Sequence, residues 1–534
     1  FHSPLTNFAF LDVNTWSAVI SKARVVPKSP AIVRQHVTHM KAIILAENDN
    51  SALRPLNSRK PGALIKINGI PLLEHQIRSY LNAGVAEASL TVVSGYHHNI
   101  VKRFLKRVHP AIRLVKNADY RSKNAARSLH LALQSAEFDD EGLFVSSGEC
   151  VFDAHLIEAL VRSSSNTVAD DTGRSGGETM LVQNGCVVSV GAAITTEGAT
   201  AVSADVLRLN ARAVSALKRV VANRAVETEV SMAIVINDLV KTVQITLVDI
   251  AGINWAGVRS MDDLHDADKR FSRFKLSDTD CFVLDLDGTV YVGDRAIHGT
   301  IKFIDRNAHK KAFYFATNNT SKLPEDYRLR LNAMGIPTDS DHVFTPLTPL
   351  IEHLQVHSIQ NVYLLGNTRL EAYLRQALPE LRLTADPEAC EALIVAYDTE
   401  LTYDKLRAAA VLLQQNQRLP FLATHGDLVC PTEGGFVPDC GCILTMLEQT
   451  TGRRPDVVFG KPSARLVERA TERCGRDHMA IVGDRLYTDG RMALNVGCSY
   501  VCVLSGETTR EQVDNLGEEE FPTLIVRDLG ELLK

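Results

Sequence analysis

The chain lacks most of the features that tie a protein to a membrane, to nucleic acid or to an oxidising compartment. No apolar run in its 534 residues reaches the roughly 20 residues that a bilayer-spanning helix needs. The formal net charge is -5, so there is no general pull toward nucleic acid or an anionic membrane. No basic stripe with interleaved aromatics, no repeat and no low-complexity tract suggests a nucleic-acid binder or a scaffold. The 10 cysteines are scattered without a CxxC, and Cys440 and Cys442 stand too close for an ordinary disulfide, so a reduced cytoplasm is the expected setting. There is no HExxH. His97-His98 are adjacent and His353 and His357 stand four apart, but no further cysteine or histidine nearby completes a zinc site. Residues 1–39 show no charged-then-apolar signal pattern and read as an extension of unknown role. Hydrophobic residues make up 45%, enough to bury several cores in roughly three to four domains.

What the chain does carry is a pair of aspartates closing an apolar run, Cys281-Phe-Val-Leu-Asp285-Leu-Asp287-Gly-Thr289. So apolar a strand reads as buried in a parallel sheet, and Asp285 and Asp287 then emerge at its carboxyl end, where open α/β sheets place their chemistry. Two carboxylates in one crevice repel unless a cation lies between them, which points to a hard metal, Mg²⁺. Three further segments follow in order. Ala312-Phe-Tyr-Phe-Ala-Thr317-Asn318-Asn319 runs a strand into a hydroxyl- and amide-rich turn that can donate to phosphate oxygens. Phe459-Gly-Lys461 supplies a fixed cation, and Met479-Ala-Ile-Val-Gly-Asp484 with Asp489 ends another apolar strand in acids.

The DxDGT string and the ordered segments after it resemble the haloacid dehalogenase superfamily, a Rossmann-like fold. That resemblance implies a phosphatase with Asp285 as nucleophile and Asp287 as general acid and base. It further implies Thr317, Asn318 and Lys461 on the transferring phosphate. Mg²⁺ would be held by Asp285, Asp484 and the Asp287 carbonyl, with Asp489 orienting that shell. Strand-like runs at 361–366, 392–397 and 420–424 alternate with helical stretches between Ser321 and Lys461, too long a stretch for a loop. Together with "TNNTSK", "LATHGD" and "GDRLYTDG", they resemble the nitrophenyl-phosphatase and phosphoglycolate-phosphatase branch, whose large α/β cap would span about 350–455. His425 departs from the branch's usual asparagine and is the candidate for cap specificity.

The first half reads differently. Lys41-Ala-Ile-Ile-Leu-Ala46 is a strand followed by a polar loop, Leu53-Arg-Pro-Leu56, and the run from Ala63 to Gln76. Asn117, Asn124, Ser128, Asn237-Asp238 and Trp255 recur downstream. This layout resembles the sugar-phosphate and phosphocholine nucleotidyltransferases, again Rossmann-like, in which the loop after the first strand wraps the nucleotide phosphates. The chemistry departs from that pattern. Asn48 and Asn50 replace the loop glycines, and Ala52 the loop arginine. Asparagine tolerates a left-handed backbone, so the loop shape is expected to survive while its side chains fill the phosphate space. Gly62 stands where a lysine belongs, between Lys60 and Lys66, and Glu47 and Asp49 add negative charge. Glu149 and Arg259 occupy the positions of the two metal aspartates, and an arginine cannot ligate Mg²⁺. The segment Ser175-Gly-Gly-Glu178 is thin in acids.

The expected organisation is a 1–39 extension, a 40–272 nucleotidyltransferase-like domain that no longer transfers nucleotides, and a 273–534 phosphatase domain. The whole is expected to be a cytoplasmic, Mg²⁺-dependent hydrolase of a small phosphorylated metabolite, with the first domain as regulatory or assembly module. No nucleic-acid or membrane partner is expected, and a nucleotide on the first domain and a homo-oligomer stay open. One alternative is a bifunctional enzyme using CTP or UTP in phospho-alcohol or phospho-sugar metabolism. The other is a non-catalytic nucleotide sensor.

Overall fold

The computed structural model of the protein describes residues 37–138, 142–163, 166–170, 178–191, 201–432 and 435–533. Residues 1–36 of the extension and 175–177 of the acid-poor segment lie outside these. The chain divides into two compact units, Phe1–Ala267 and Asp268–Lys534. The division falls inside helix Met261–Phe271 rather than after residue 272, because the last turn of that helix is held by the second unit. Asp268 pairs with Arg510 at 2.9 Å and Lys269 with Glu531 at 3.2 Å.

Among the described residues, the main sheet of the first unit has nine strands: β1 (Lys41–Ala46), β2 (Leu90–Ser94), β3 (Arg113–Lys116), β4 (Leu143–Ser147), β5 (Asn166–Asp170), β6 (Glu178–Gln183), β7 (Cys186–Val190), β8 (Ala201–Leu209) and β9 (Ile245–Asp249). They lie in the order β3-β2-β1-β4-β8-β5-β9-β7-β6. Strands β3, β2, β1 and β4 run parallel, and β8 enters antiparallel between β4 and β5. The residues of β1 alternate between two cores. Ala42, Ile44 and Ala46 face one, and Ile43 and Leu45 the other. Burial on both faces explains why this strand reads as a continuous apolar run without polar alternation. The chain winds from β1 outward to β3 and then returns to add β4 on the other side of β1, so a crevice opens between the carboxyl ends of β1 and β4. Asn124 caps the helix Ala125–Gln134 by accepting from the Arg127 amide at 2.8 Å.

In the second unit the core strands are β10 (Cys281–Asp285), β11 (Ala312–Ala316) and β12 (Val343–Phe344). The chain then leaves to form an inserted sheet of β13 (Asn361–Leu365), β14 (Arg382–Leu383), β15 (Ala392–Val395), β16 (Phe421–Ala423) and β17 (Val457–Val458). It returns with β18 (Met479–Gly483), β19 (Ser499–Val503) and β20 (Leu524–Val526). The core sheet has the order β12-β11-β10-β18-β19-β20 and the inserted sheet β14-β13-β15-β16-β17, both parallel throughout. On β10, Phe282 and Leu284 face one core while Cys281 and Val283 face the other. Phe282 packs edge-on to Phe303 and stacks on Phe313. That packing fixes the central strand and therefore the position of the acids at its end. Among the described residues no helix is long and apolar enough to cross a membrane.

Candidate active site

Strands β10, β11 and β18 are neighbours, and their carboxyl ends bring Asp285, Thr317 and Asp484 to one edge. The loop after β17 adds Lys461. Its ammonium pairs with Asp285 and, at 2.7 Å, with Asp489. Lys461 and Asp489 are buried, so these charges interact with little solvent screening. Carboxylate oxygens of Asp285, Asp484 and Asp489 lie within 4.8 Å of one another. Asp484 is held tightly: its Oδ2 accepts from the Glu507 amide at 2.6 Å. A Cβ on Gly288 or on Gly506 would collide with its carboxylate, which is why glycine stands at both points of approach.

Burial pushes the carboxyls of Asp285, Asp484 and Asp489 each up to about 6, with neighbouring carboxylates adding to the shift and Lys461 opposing it. Burial works against the charge on Lys461, but Asp285 and Asp489 outweigh it and raise the lysine's pKa. Three buried carboxylates around one lysine leave an excess of negative charge. Asp484 Oδ1 is buried with no hydrogen-bond partner. An unpartnered carboxylate oxygen facing two other acids is the donor set a hard divalent cation takes, so the residues present fit one.

A cavity of about 200 Å³ lies over these groups, and its lining includes Asp287, Thr317, Asn319, Arg330, Asp427 and Arg485. Burial raises the Asp287 carboxyl, while Arg330, Arg485, Lys322 and Lys461 oppose the shift. Thr317 Oγ1 accepts from the Asn319 amide at 3.1 Å. Asn318 also lines this cavity, and its side chain binds the loop that carries Lys461. Its Oδ1 accepts from the Lys461 amide at 2.7 Å, and its Nδ2 donates to the Lys461 carbonyl at 3.2 Å and to Asp427 at 3.1 Å. Asn318 thus holds the loop that presents Lys461.

His425, the expected specificity residue, does not line the cavity. It is fully buried behind it, 3.9 Å from Asp427 and 3.6 Å from Asp439. Asp427 and Asp439 line the cavity. Arg330 and Arg485 went unnoticed in the sequence. Arg485 follows Asp484 directly and could have been found from that adjacency. Arg330 lies on the helix Pro324–Ala333, and nothing local marks it. His353 and His357 lie with ring centroids 4.3 Å apart, and Asp285, Asp484 and Asp489 are the one metal-type cluster among the described residues. Arg453 is spent on the Leu419 carbonyl at 2.9 Å and on Asp456, and Arg454 pairs with Glu448.

The crevice of the first unit brings together Glu47, Glu149 and Arg259. The loop after β1 does not keep the left-handed shape expected of it. Asn50 has φ -77°, and neither it nor Asn48 has a positive φ. Asn50 instead caps the turn Ser51–Leu53 and donates to the Arg259 carbonyl at 3.1 Å. The downstream asparagines are structural. Asn117 donates to Ser128 at 2.9 Å, Asn237 bonds the Val190 backbone, and Asp238 pairs with Arg224 and Lys241.

A parallel α/β core whose central strand ends in two aspartates beside a buried lysine and a third acid defines a hydrolase acting on phosphate esters. Residues 282–377 match the family described as haloacid dehalogenase-like hydrolase, and 458–532 match a HAD-hydrolase-like family. An acid sugar phosphatase of Staphylococcus saprophyticus is 33% identical over 258 residues, covering 96% of that protein and 47% of this chain. A 5'-nucleotidase of Bacillus subtilis is 32% identical over 254 residues, covering 96% of it and 47% of this chain. The solved 4-nitrophenylphosphatase of Thermotoga maritima is 36% identical, with 97% of it and 48% of this chain covered and a TM-score of 0.44. The chain belongs, through its second unit, to the haloacid dehalogenase-like hydrolases. It is a phosphoric monoester hydrolase.

Proposed function

We propose that the second unit hydrolyses a small phosphomonoester through a phospho-aspartate on Asp285, with Mg²⁺ as its metal. The observation that carries this is the Lys461 ammonium paired with both Asp285 and Asp489 beside Asp484. An Asp285 oxygen attacks phosphorus and the ester P–O bond breaks, the leaving oxygen taking a proton from Asp287. Water then attacks the acyl phosphate and gives its proton to Asp287. The P–O bond to Asp285 breaks, inorganic phosphate leaves and the carboxylate is restored. Lys461 offsets the charge of Asp285 and of the transferring group, Asn318 positions Lys461, and the Thr317 hydroxyl holds a phosphate oxygen. Asp285, Asp484 and the Asp287 carbonyl would hold Mg²⁺, which would supply further neutralisation of phosphate charge, and Asp489 sets the place of Lys461 beside them.

The cavity of about 200 Å³ is below the usual range for small-molecule sites, which supports a compact substrate. Its mixed lining of Arg330, Arg485 and Asp427 suits hydroxyls as well as phosphate. With relatives named for sugar phosphates and 5'-nucleotides, a phospho-sugar or phospho-alcohol is the reading favoured. The first unit is read as a nucleotidyltransferase-like fold that has lost transfer and serves as a regulatory or assembly module, a reading supported by Arg259 and the carboxylates in its crevice. The test is phosphate release by the full chain with Mg²⁺ over a panel of small phosphomonoesters, beside Asp285→Asn. Release confined to the unsubstituted protein supports the reading, and equal release by both overturns it.

A further inference from the structure

A cavity of about 570 Å³ in the first unit opens at the carboxyl ends of β1 and β4. Its acids are placed there by strand register. Leu45 pairs with Ser147, and continuing the same step sets Glu47 beside Glu149, just past the two strand ends. The turn between Ser147 and Glu149 lies flat on β1, with the Gly148 amide donating to the Leu45 carbonyl at 2.7 Å. A Cβ on Gly148 would press into that carbonyl and Ala46. Glu47 and Glu149 both line the cavity, near enough for the charge of Glu149 to add to the rise of the Glu47 carboxyl.

The lining carries five carboxylates, Glu47, Asp49, Glu149, Glu178 and Asp205, against three cations, Arg121, Lys123 and Arg259. Arg121 and Lys123 are exposed. Arg259 pairs with Asp205, whose backbone sits at φ +57° where the β8 ladder slips between Ser203 and Leu207. The interior cation is paired with Asp205, and its charge also acts on Glu149. Glu47 is only 4% exposed, and its Oε2 is buried with no hydrogen-bond partner. Burial pushes its carboxyl up to about 7, Ser128 opposes, and the Glu149 charge adds to the rise. An ionised Glu47 in this place calls for a cation.

Two observations fix the chemical class of that cation. Part of the lining is apolar, with Val145, Val168, Val206, Leu207 and Ile236. The volume is many times that of a bare ion or a single water and falls in the range of small-molecule sites. Among the described residues these acids do not form a metal-type cluster. A nucleoside triphosphate would bring more negative charge against a lining in which carboxylates outnumber cations and one buried Glu47 oxygen has no partner. We propose that this cavity is a binding site for a small organic ammonium ion, its nitrogen held between Glu47 and Glu149 and its carbons packed on Val145, Val206 and Ile236.

The inference stands apart from the phosphatase reading, because binding to the first unit is read without substrate turnover. The test is calorimetric titration and thermal unfolding of the full-length protein with n-butylammonium and tetramethylammonium chlorides. Sodium chloride matches the ionic strength, and Mg-CTP is titrated in parallel. Saturable binding and an upward shift in melting temperature are expected with at least one ammonium ion, and no comparable shift with CTP. Glu47→Gln, which removes a buried charge at constant shape, should weaken ammonium binding at least tenfold. Glu149→Gln is a second variant with the same expectation. No saturable binding of either ammonium ion overturns the proposal. So does equal binding by the unsubstituted protein and both variants, or a tighter fit for CTP than for either ammonium ion.

Discussion

Both units deliver carboxylates to one edge by the same means, two neighbouring parallel strands ending side by side, yet the two edges differ in what compensates the charge. In the second unit β10 and β18 end on Asp285 and Asp484, and a returning loop buries Lys461 against Asp285 and Asp489. In the first unit β1 and β4 lead to Glu47 and Glu149, but the interior arginine is paired with Asp205. The same sheet geometry therefore yields a phosphate-directed site where a free-standing acid cluster carries its own lysine. Where the cation is already taken, it yields an anionic pocket. The difference lies in which cation reaches the acids, Lys461 from a returning loop in one unit and Arg259, paired with Asp205, in the other.

The largest expected effect is on the second edge. Asp285→Asn should lower phosphate release by at least about 10³-fold while leaving ammonium binding by the first unit intact; loss of both at once would break the comparison. Lys461→Met should cost roughly 10² to 10³-fold in kcat. It also leaves Asp285 and Asp489 buried without their cation, so the melting temperature should fall, and a variant as stable as the parent would show that Lys461 is not the compensating charge. Chelation with EDTA should cut phosphate release more than about tenfold, with recovery on adding Mg²⁺; activity that persists in chelator would remove the metal from the second edge.

Glu47 sharpens the contrast through stability. Burial pushes its carboxyl up to about 7 from the usual 4.5 of a free glutamate, so between those values the folded protein holds a proton that the unfolded chain has released. Stability contributed by this group is present below pH 4.5 and is lost as pH rises to 7, a loss on the order of 3 kcal/mol. Glu47→Gln should raise the urea midpoint at pH 8 and leave it unchanged at pH 4; a midpoint that moves equally at both would mean the acid is not strained by burial. The smallest effect expected is none. Pyrophosphate release from CTP or UTP should stay at background, and its detection would make the two edges chemically alike.

Much of this was legible in the chain because buried parallel strands announce themselves as apolar runs, and an acid that ends such a run is placed by the strand. Asp285, Asp287 and Asp484 follow such runs, and the runs that form β13, β15 and β16 are legible in the same way. The loops were harder. Asn48 and Asn50 were read as left-handed stand-ins for glycine, whereas Asn50 turned to cap Ser51–Leu53. His425 was read as facing the substrate, whereas it lies behind Asp427. A loop's side-chain directions depend on the partner that captures each polar group, and that partner is distant in sequence.

By itself, then, the sequence determined the strands, their apolar faces and the identity of the acids at their ends, since these follow from local pattern and periodicity. Only the tertiary structure decided which charges meet: Lys461 with Asp285 across 176 residues, and Arg259 with Asp205 across 54. Pairing of that kind is set by how sheets and returning loops pack. It determines whether a buried carboxylate finds a cation within the protein or is left to draw one from outside.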